Sequence, residues 1–461
     1  MTSSAFICAI GAAAPSLRLR AGDVAAAWGS RGGKGQAAVC AADEDALTLS
    51  WLAVVRALAN AGRSPEEIDG LWWGTSRPPF AEGPSLAMLG SALRLRTDVA
   101  GALTSGSAHA GMDALVAAWD SVAAGHVRTA VVVAADAVVP GPGTPWESRV
   151  GAGAVALVLT AGAGPAALVE RTQRSWPVLD RYRGDGEAST RDFYDPRLFR
   201  EEVFLPLLTE VAGKMGDADA WSLPDPDGRL GSALARKLGA DASASATIYA
   251  ELGDTGAAAA LLGLRGALRA PGRAAVLGYG GGRATGVAVE VDDALPGSAD
   301  DLEAGAVVGY PEVLRARGQL VASGESVPMG VPPGSAAFVR GGMEILALQG
   351  GRCVECGTLN VPPSVHPACI GCGGEKFEVC DLERAGTVHT FSVNHSMPAP
   401  FVAPLPLLIV DLDDGARVQF QGLPEDAPVL AIGDRVELVL RRYAVERGVP
   451  VYGYKARRAT S

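Results

Sequence analysis

Histidine is scarce in this chain of 461 residues: there are five, and only His109 and His126 fall within the first 292. A proton relay that draws on a histidine between residues 164 and 292 is therefore excluded. Basic residues are in the minority, 40 Lys and Arg against 51 Asp and Glu, for a formal charge of −11. Nucleic acid as a partner requires a basic face and is set aside, although a local arginine cluster can still meet the phosphates of a small ligand. No uninterrupted apolar run reaches the ~18 residues of a membrane span. The first ten residues carry no basic segment ahead of their apolar run, and together these absences predict a cytoplasmic protein with no membrane partner. Aromatic residues make up only 6% against 48% apolar, with 59 glycines. That balance describes a tightly packed α/β interior rich in small aliphatic side chains and argues against disorder. No glycine fingerprint opens a strand-helix unit, so a nicotinamide cofactor is not indicated.

A length of 461 residues predicts two to four domains at ~100–200 residues each. Strand and helix patterns alternate up to about residue 292. The apolar spacing of Leu47, Trp51, Val54, Val55 and Leu58 predicts a helix over 43–61, and Ser64 followed by Pro65 predicts a capped single turn. A strand over 68–75, a helix over 85–93, a strand over 99–103, a helix over 108–124 with Ser107 as its cap, and strands over 129–136 and 152–160 complete a first half, residues 1–163. A second half, 164–292, is read as helix 230–238, strand 246–249, helix 257–268 and strand 273–277. Two such halves imply largely parallel sheets covered by helices, an α/β layered fold. Residues 293–345, rich in Pro, Gly and Ser, read as a linker with helical segments. Five alternating runs between 387 and 454 predict a small antiparallel barrel within residues 381–461.

Cysteine is concentrated in one place. Five of the seven, Cys353, Cys356, Cys369, Cys372 and Cys380, lie within 28 residues, while Cys8 and Cys40 stand alone. Cys353-x2-Cys356, twelve residues, then Cys369-x2-Cys372 is the spacing of two knuckles that bring four thiolates to one tetrahedral ion, so residues 346–380 are predicted to form a zinc ribbon with structural Zn2+. His366 reads as a loop residue and Cys380 as a buried apolar position at the start of the barrel.

Residues 341–461 resemble the zinc-ribbon and OB-fold proteins that accompany thiolases and HMG-CoA synthases, on Arg352-Cys-Val-Glu-Cys-Gly-Thr-Leu-Asn-Val-Pro-Pro, the second knuckle and Gly386-Thr-Val-His-Thr-Phe-Ser. Residues 1 to about 292 resemble HMG-CoA synthase and ketoacyl-synthase III-like members of the thiolase superfamily. That likeness rests on Trp73-Gly-Thr-Ser, Thr104-Ser-Gly-Ser-Ala-His-Ala-Gly, Ala130-Val-Val-Val-Ala-Ala-Asp, Gly253-Asp-Thr-Gly and Gly278-Tyr-Gly-Gly-Gly. The resemblance implies a layered thiolase-like fold of two halves, a homodimer, and a coenzyme A thioester as ligand or substrate. Family members pass an acyl group through a cysteine at a helix N-terminus, assisted by a histidine and an asparagine or glutamate. Carried over position by position, the cysteine becomes His109, the glutamate Ser76, the histidine Pro224 and the asparagine Asp254. Gly278, Tyr279, Gly280 and Gly281 correspond to the family's pocket floor.

Three readings follow from this loss. The thiolase-like region binds acyl-CoA without covalent chemistry and works with a separate thiolase or other acyl-CoA enzyme through its ribbon and OB module. Alternatively, it is an acyltransferase or carbon-carbon bond enzyme with replaced residues, His109 serving as a neutral base at the positive end of its helix, Asp254 carrying a proton, or Ser107 substituting as nucleophile. In the third, it is a structural assembly subunit. Arg181, Arg183, Arg191, Arg197 and Arg200 form a basic stretch able to meet coenzyme A phosphates, or simply a solvated face.

Overall fold

The computed structural model describes residues 5–30, 33–192, 195–321, 342, 344–397, 403–446 and 448–459. The chain divides into two compact units, one of Met1–Gly90 with Leu95–Val321, the other of Ser91–Arg94 with Ala322–Ser461. No helix among the described residues is long and apolar enough to cross a membrane.

The first unit is built on a nine-stranded sheet, in the order Ala220–Ser222, Gly272–Gly280, Arg283–Val291, Ala166–Ser175, Ala5–Ala13, Ala152–Ala161, Thr129–Ala137, Gly70–Gly74 and Ala100–Thr104. The helix Ala46–Ala61 is started by Asp45, whose carboxylate accepts from the Leu47 and Thr48 amides at 3.0 Å, and is ended by Gly62 in the left-handed region. Such caps satisfy amides that have no partner inside the helix. The helix Ala110–Ala123 buries Met112, Leu115 and Val122 at helical spacing, in one cluster with Ile7, Val132, Leu157, Leu261 and Val276. Burying each large aliphatic chain contributes about 1.5–3 kcal/mol. A second cluster gathers Phe204, Leu208, Val211, Leu234 and Leu277.

Three sequence expectations are corrected. Of the eight strand pairings in the large sheet, only three are parallel. Gly281 and Gly282, both with positive φ, are a two-residue hairpin turn that forces Gly272–Gly280 and Arg283–Val291 antiparallel. Residues 246–249 are not a strand but the middle of the helix Ser243–Leu252; a four-residue apolar run does not discriminate the two states, and its Ala, Glu and Leu neighbours favour helix. The front of the presumed linker is ordered: Ala306–Val307 pairs with Leu17–Arg18, and the helix Tyr310–Ala316 packs Tyr310 and Val313 against Leu19, Val24 and Val39. Its remainder, 322–341 and 343, lies outside the described residues.

In the second unit, the strands Gln349–Cys353, Leu359–Asn360 and Phe377–Asp381 form a three-stranded ribbon; Cys380 is on its last strand and only half-buried, not a buried start of the barrel as the sequence suggests. All five expected barrel strands are present, as Ala385–Asn394, Leu405–Leu412, Arg417–Gly422, Arg435–Glu446 and Val449–Arg458, in a closed barrel. The barrel is not wholly antiparallel. The last strand inserts between the third and fourth, which makes its pairing with Arg417–Gly422 parallel. Val388, Leu408, Val410, Phe420, Leu438 and Leu440 are buried.

Candidate functional site

The turn between the strand Ala100–Thr104 and the helix Ala110–Ala123 opens onto a cavity of about 100 Å³. The helix begins at Ala110 with His109 at the cap position, later than the sequence predicts. Ser107 still serves the turn, its Oγ accepting the His109 amide at 3.2 Å.

His109 and Ser107 go separate ways. The His109 ring is fully buried, with Nε2 at 2.8 Å from Thr285 Oγ1 and Nδ1 at 3.1 Å from Asp113, which in turn pairs with Arg283 at 2.8 Å. Burial alone would raise Asp113; His109 and Arg283 hold it below the ordinary carboxylate range. The ring is thus directed into the packing under the strand Arg283–Val291 and does not line the cavity, whereas Ser107 and Ala108 do. The opposite wall is the hairpin Gly280–Gly281. A side chain at Gly280 would come within 2.5 Å of the His109 nitrogen, and one at Gly281, whose φ is +57°, within 3.0 Å of Ser107 Cβ, so only glycine permits this approach. Tyr279 also lines the cavity, its hydroxyl donating to Asp180 at 2.8 Å, while Gly278 is turned away against Met112.

The remaining replaced positions converge on the same space. Ser76 lines the cavity and donates its hydroxyl to Asp136 at 2.8 Å. Asp136 is fully buried and also accepts from Thr75 Oγ1 and from the Ser76 and Ala257 amides. Burial pushes its carboxyl up, against the pull of these donors. Asp254 accepts from the Gly256 amide at 3.0 Å, as expected of a turn aspartate, and also pairs with Arg181 at 2.6 Å. Burial would pull the Arg181 guanidinium down, but Asp254 and Asp192 hold it above its ordinary value. Arg181 further stacks 4.3 Å from the Trp146 ring, so it is committed within the protein and is not part of a solvated basic face.

Pro224 lines the cavity too, and beside it stands a group the sequence reading passed over. Asp225 takes hydrogen bonds from the Gly228 and Gly231 amides, while its Oδ1 is buried without a partner. Burial pushes its carboxyl up to about 6. The only signal in the sequence was adjacency, one residue beyond Pro224. Among the described residues, no cysteine or histidine lines this cavity. A separate cavity of about 490 Å³ is lined by Arg197, Arg200, Arg229 and Arg236 with Asp227, so two of the five arginines singled out in the sequence do gather at one anionic-ligand-sized opening.

In the second unit, the sulfurs of Cys353, Cys356, Cys369 and Cys372 lie within 4.8 Å of one another, with Cys353 to Cys372 and Cys356 to Cys369 both at 3.6 Å. Tetrahedral binding at about 2.3 Å per sulfur requires edges of about 3.8 Å. The amides of Gly371 and Gly374 donate to Cys369 and Cys372 at 3.3 and 3.5 Å, an arrangement suited to thiolates. The donor set therefore fits a thiophilic tetrahedral ion, and His366 stands outside it.

Residues 380–441 match the family model for the C-terminal OB-fold domain of ChsH2. The chain is 28% identical over 313 residues to the hydroxymethylglutaryl-CoA synthase of Caldivirga maquilingensis, covering 62% of this chain and 88% of that protein. With the synthase of Pyrococcus horikoshii it shares 33% identity over 150 residues, 32% of this chain and 43% of that protein, so this match spans less than half of the relative. A solved structure of MvaS in complex with 3-hydroxy-3-methylglutaryl coenzyme A superposes with a TM-score of 0.61 at 22% identity, covering 72% of this chain and 95% of that one. The first unit therefore has a thiolase-like fold and is similar in sequence to HMG-CoA synthases. In the second unit, residues 380–441 are similar to the C-terminal OB-fold domain of ChsH2.

Proposed function

We propose that the thiolase-type unit binds a short-chain acyl-CoA thioester without forming an acyl-enzyme on a thiol, and that the ribbon and OB unit docks a separate thiolase or other acyl-CoA enzyme. The observation that carries this reading is the lining of the cavity. The position matched to the family's cysteine is His109, which faces the core, while the space itself is walled by Ser107, Ala108, Gly280 and Gly281. Glycine backbone pressed against the turn favours a thioester carbonyl held by amides rather than a side-chain nucleophile. A volume of about 100 Å³ is several times the roughly 10–15 Å³ that one water needs on the same measure, enough for a small acyl group. The cluster of Arg197, Arg200, Arg229 and Arg236 would meet the phosphates. In the second unit the four cysteines would hold zinc. With every coordination position filled by protein sulfur, that ion supplies a structural cross-link and no open site. A homodimer in the cytoplasm completes the proposal.

The test is intact mass under conditions that preserve thioesters and esters, beside calorimetric titration with acetyl-CoA and butyryl-CoA. Binding with no adduct is the expected result; a covalent acyl group on Ser107 or Cys40 overturns it in favour of an active transferase. Failure to bind either thioester leaves the assembly-subunit reading in its place. Co-purification of a thiolase-like protein from the native cell checks the docking half.

A further inference from the structure

Three aromatic rings stand together at one side of the cavity, and the helix that carries two of them departs from α geometry where it does so. Asp195 starts this helix, its carboxylate accepting from the Arg197 and Leu198 amides at 2.9 and 3.0 Å. After Pro196–Leu198 the helix widens into a π turn over Phe199–Phe204, then runs on as Leu205–Gly213. At 3.6 residues per turn, side chains five apart on an α-helix diverge by about 140°. The π turn brings Phe199 and Phe204 together instead, with ring centroids 5.9 Å apart. Tyr279 meets both edge-on at 5.6 and 5.4 Å, an arrangement the ring quadrupoles favour, and its hydroxyl is tied to Asp180. Phe199 and Tyr279 line the cavity, while Phe204 is fully buried and does not. Leu208, Leu277 and Ala288 belong to the same apolar cluster, so the rings back onto packed core. Such π turns are rare and recur at functional sites, and Phe199 belongs to none of the segments that carry the family resemblance.

We propose that Phe199 sets the longest acyl chain the cavity takes, admitting butyryl and refusing octanoyl. The assignment rests on the reading that this unit binds an acyl thioester. With the thioester carbonyl at the Gly280–Gly281 hairpin, the tail has Ala108, Pro224, Ala259 and the two rings for apolar walls. Each CH2 that such a tail buries gains about fourfold in affinity. The gain ends where the chain meets a ring that cannot turn aside. Phe199 is held in this way, with Tyr279 pinned by its hydroxyl and Phe204 packed against both. Replacing the ring by a methyl group opens an apolar void beside the cavity, which excludes water and takes hydrocarbon.

The experiment is calorimetric titration of the full chain with acetyl-, butyryl-, hexanoyl- and octanoyl-CoA. Wild-type protein is expected to bind butyryl-CoA at least tenfold more tightly than octanoyl-CoA. Phe199→Ala should reverse that order, and Phe199→Leu, which keeps a core-filling side chain if the alanine variant fails to fold, should move the optimum to hexanoyl-CoA. Leu198→Ala, on the preceding residue but 60% exposed and outside the cavity lining, should keep the wild-type order. Wild-type affinity that climbs with every CH2 to octanoyl, or a wild-type order retained by folded Phe199→Ala and Phe199→Leu, overturns the inference while leaving the binding reading intact. Absence of binding by the wild type to all four thioesters removes both.

Discussion

Asp225→Asn is expected to stabilise the protein, and by an amount that grows with pH. The carboxyl sits at about 6 in the folded chain against an ordinary 3.8. An acid raised on folding prefers its protonated form there. Below 3.8 both states are protonated and the aspartate costs nothing; as pH rises through 3.8 to 6 the unfolded chain ionises first and the folded state loses stability; above 6 the loss is complete. A difference of about 2.2 corresponds to about 3 kcal/mol at 1.36 kcal/mol per pKa unit. Asparagine copies the neutral carboxyl, keeps an acceptor for the Gly228 and Gly231 amides, and never ionises. Urea unfolding should therefore show a gain of about 1 kcal/mol at pH 4.5 rising to about 3 kcal/mol at pH 8. A gain independent of pH, or a variant less stable than wild type at pH 8, would refute the electrostatic account of this residue.

Asp136→Asn should cost about 1–3 kcal/mol, because each carboxylate oxygen accepts from two donors and two of the four would face an amide nitrogen; denaturant titration checks it. His109→Ala should destabilise by about 2–4 kcal/mol through an emptied core position, a Thr285 hydroxyl left without the ring and an Asp113 left with Arg283 alone. Its calorimetric affinity for acyl-CoA should be unchanged, since the ring does not line the cavity; lost affinity with intact folding would reinstate His109 as a site residue. Elemental analysis should find one zinc per chain, and Cys369→Ser should lower that content and make the C-terminal unit susceptible to protease.

What the sequence made legible is what short-range pattern encodes. The paired knuckles announce four convergent sulfurs because chelate geometry fixes their spacing, and the barrel strands announce themselves through alternation of buried and half-buried positions, as at Leu405–Leu412. The turn carrying Ser107 and His109 was also readable. Which of the two faces the cavity was not, because the choice is made by Thr285, 176 residues away, and by a hairpin that leaves no room for side chains at 280 and 281. The strand Arg283–Val291 was missed entirely, its small residues continuing a glycine run that reads only as a turn. Arg181 looked like one cation in a solvated stretch; its partner Asp254 lies 73 residues on. Asp225 carries no motif, and its perturbed state arises only when the Pro224–Gly231 turn closes over it.

The ion pairing of Arg181 has a consequence for which ligands are turned away. Lining the cavity are Asp180, Asp225 and Asp254 against Arg181 and Arg183, and Arg181 is already shared between Asp254 and Asp192. Once Asp225 ionises, the chamber has no spare cation at its buried end, and a second carboxylate entering it gains no counter-ion and meets like charge at low dielectric. Succinyl and butyryl groups have the same four-carbon length and differ in that terminal charge. Butyryl-CoA should therefore bind at least tenfold more tightly than succinyl-CoA at pH 8, with the gap narrowing at pH 5; equal affinities would mean that Arg181 releases its partners to the ligand.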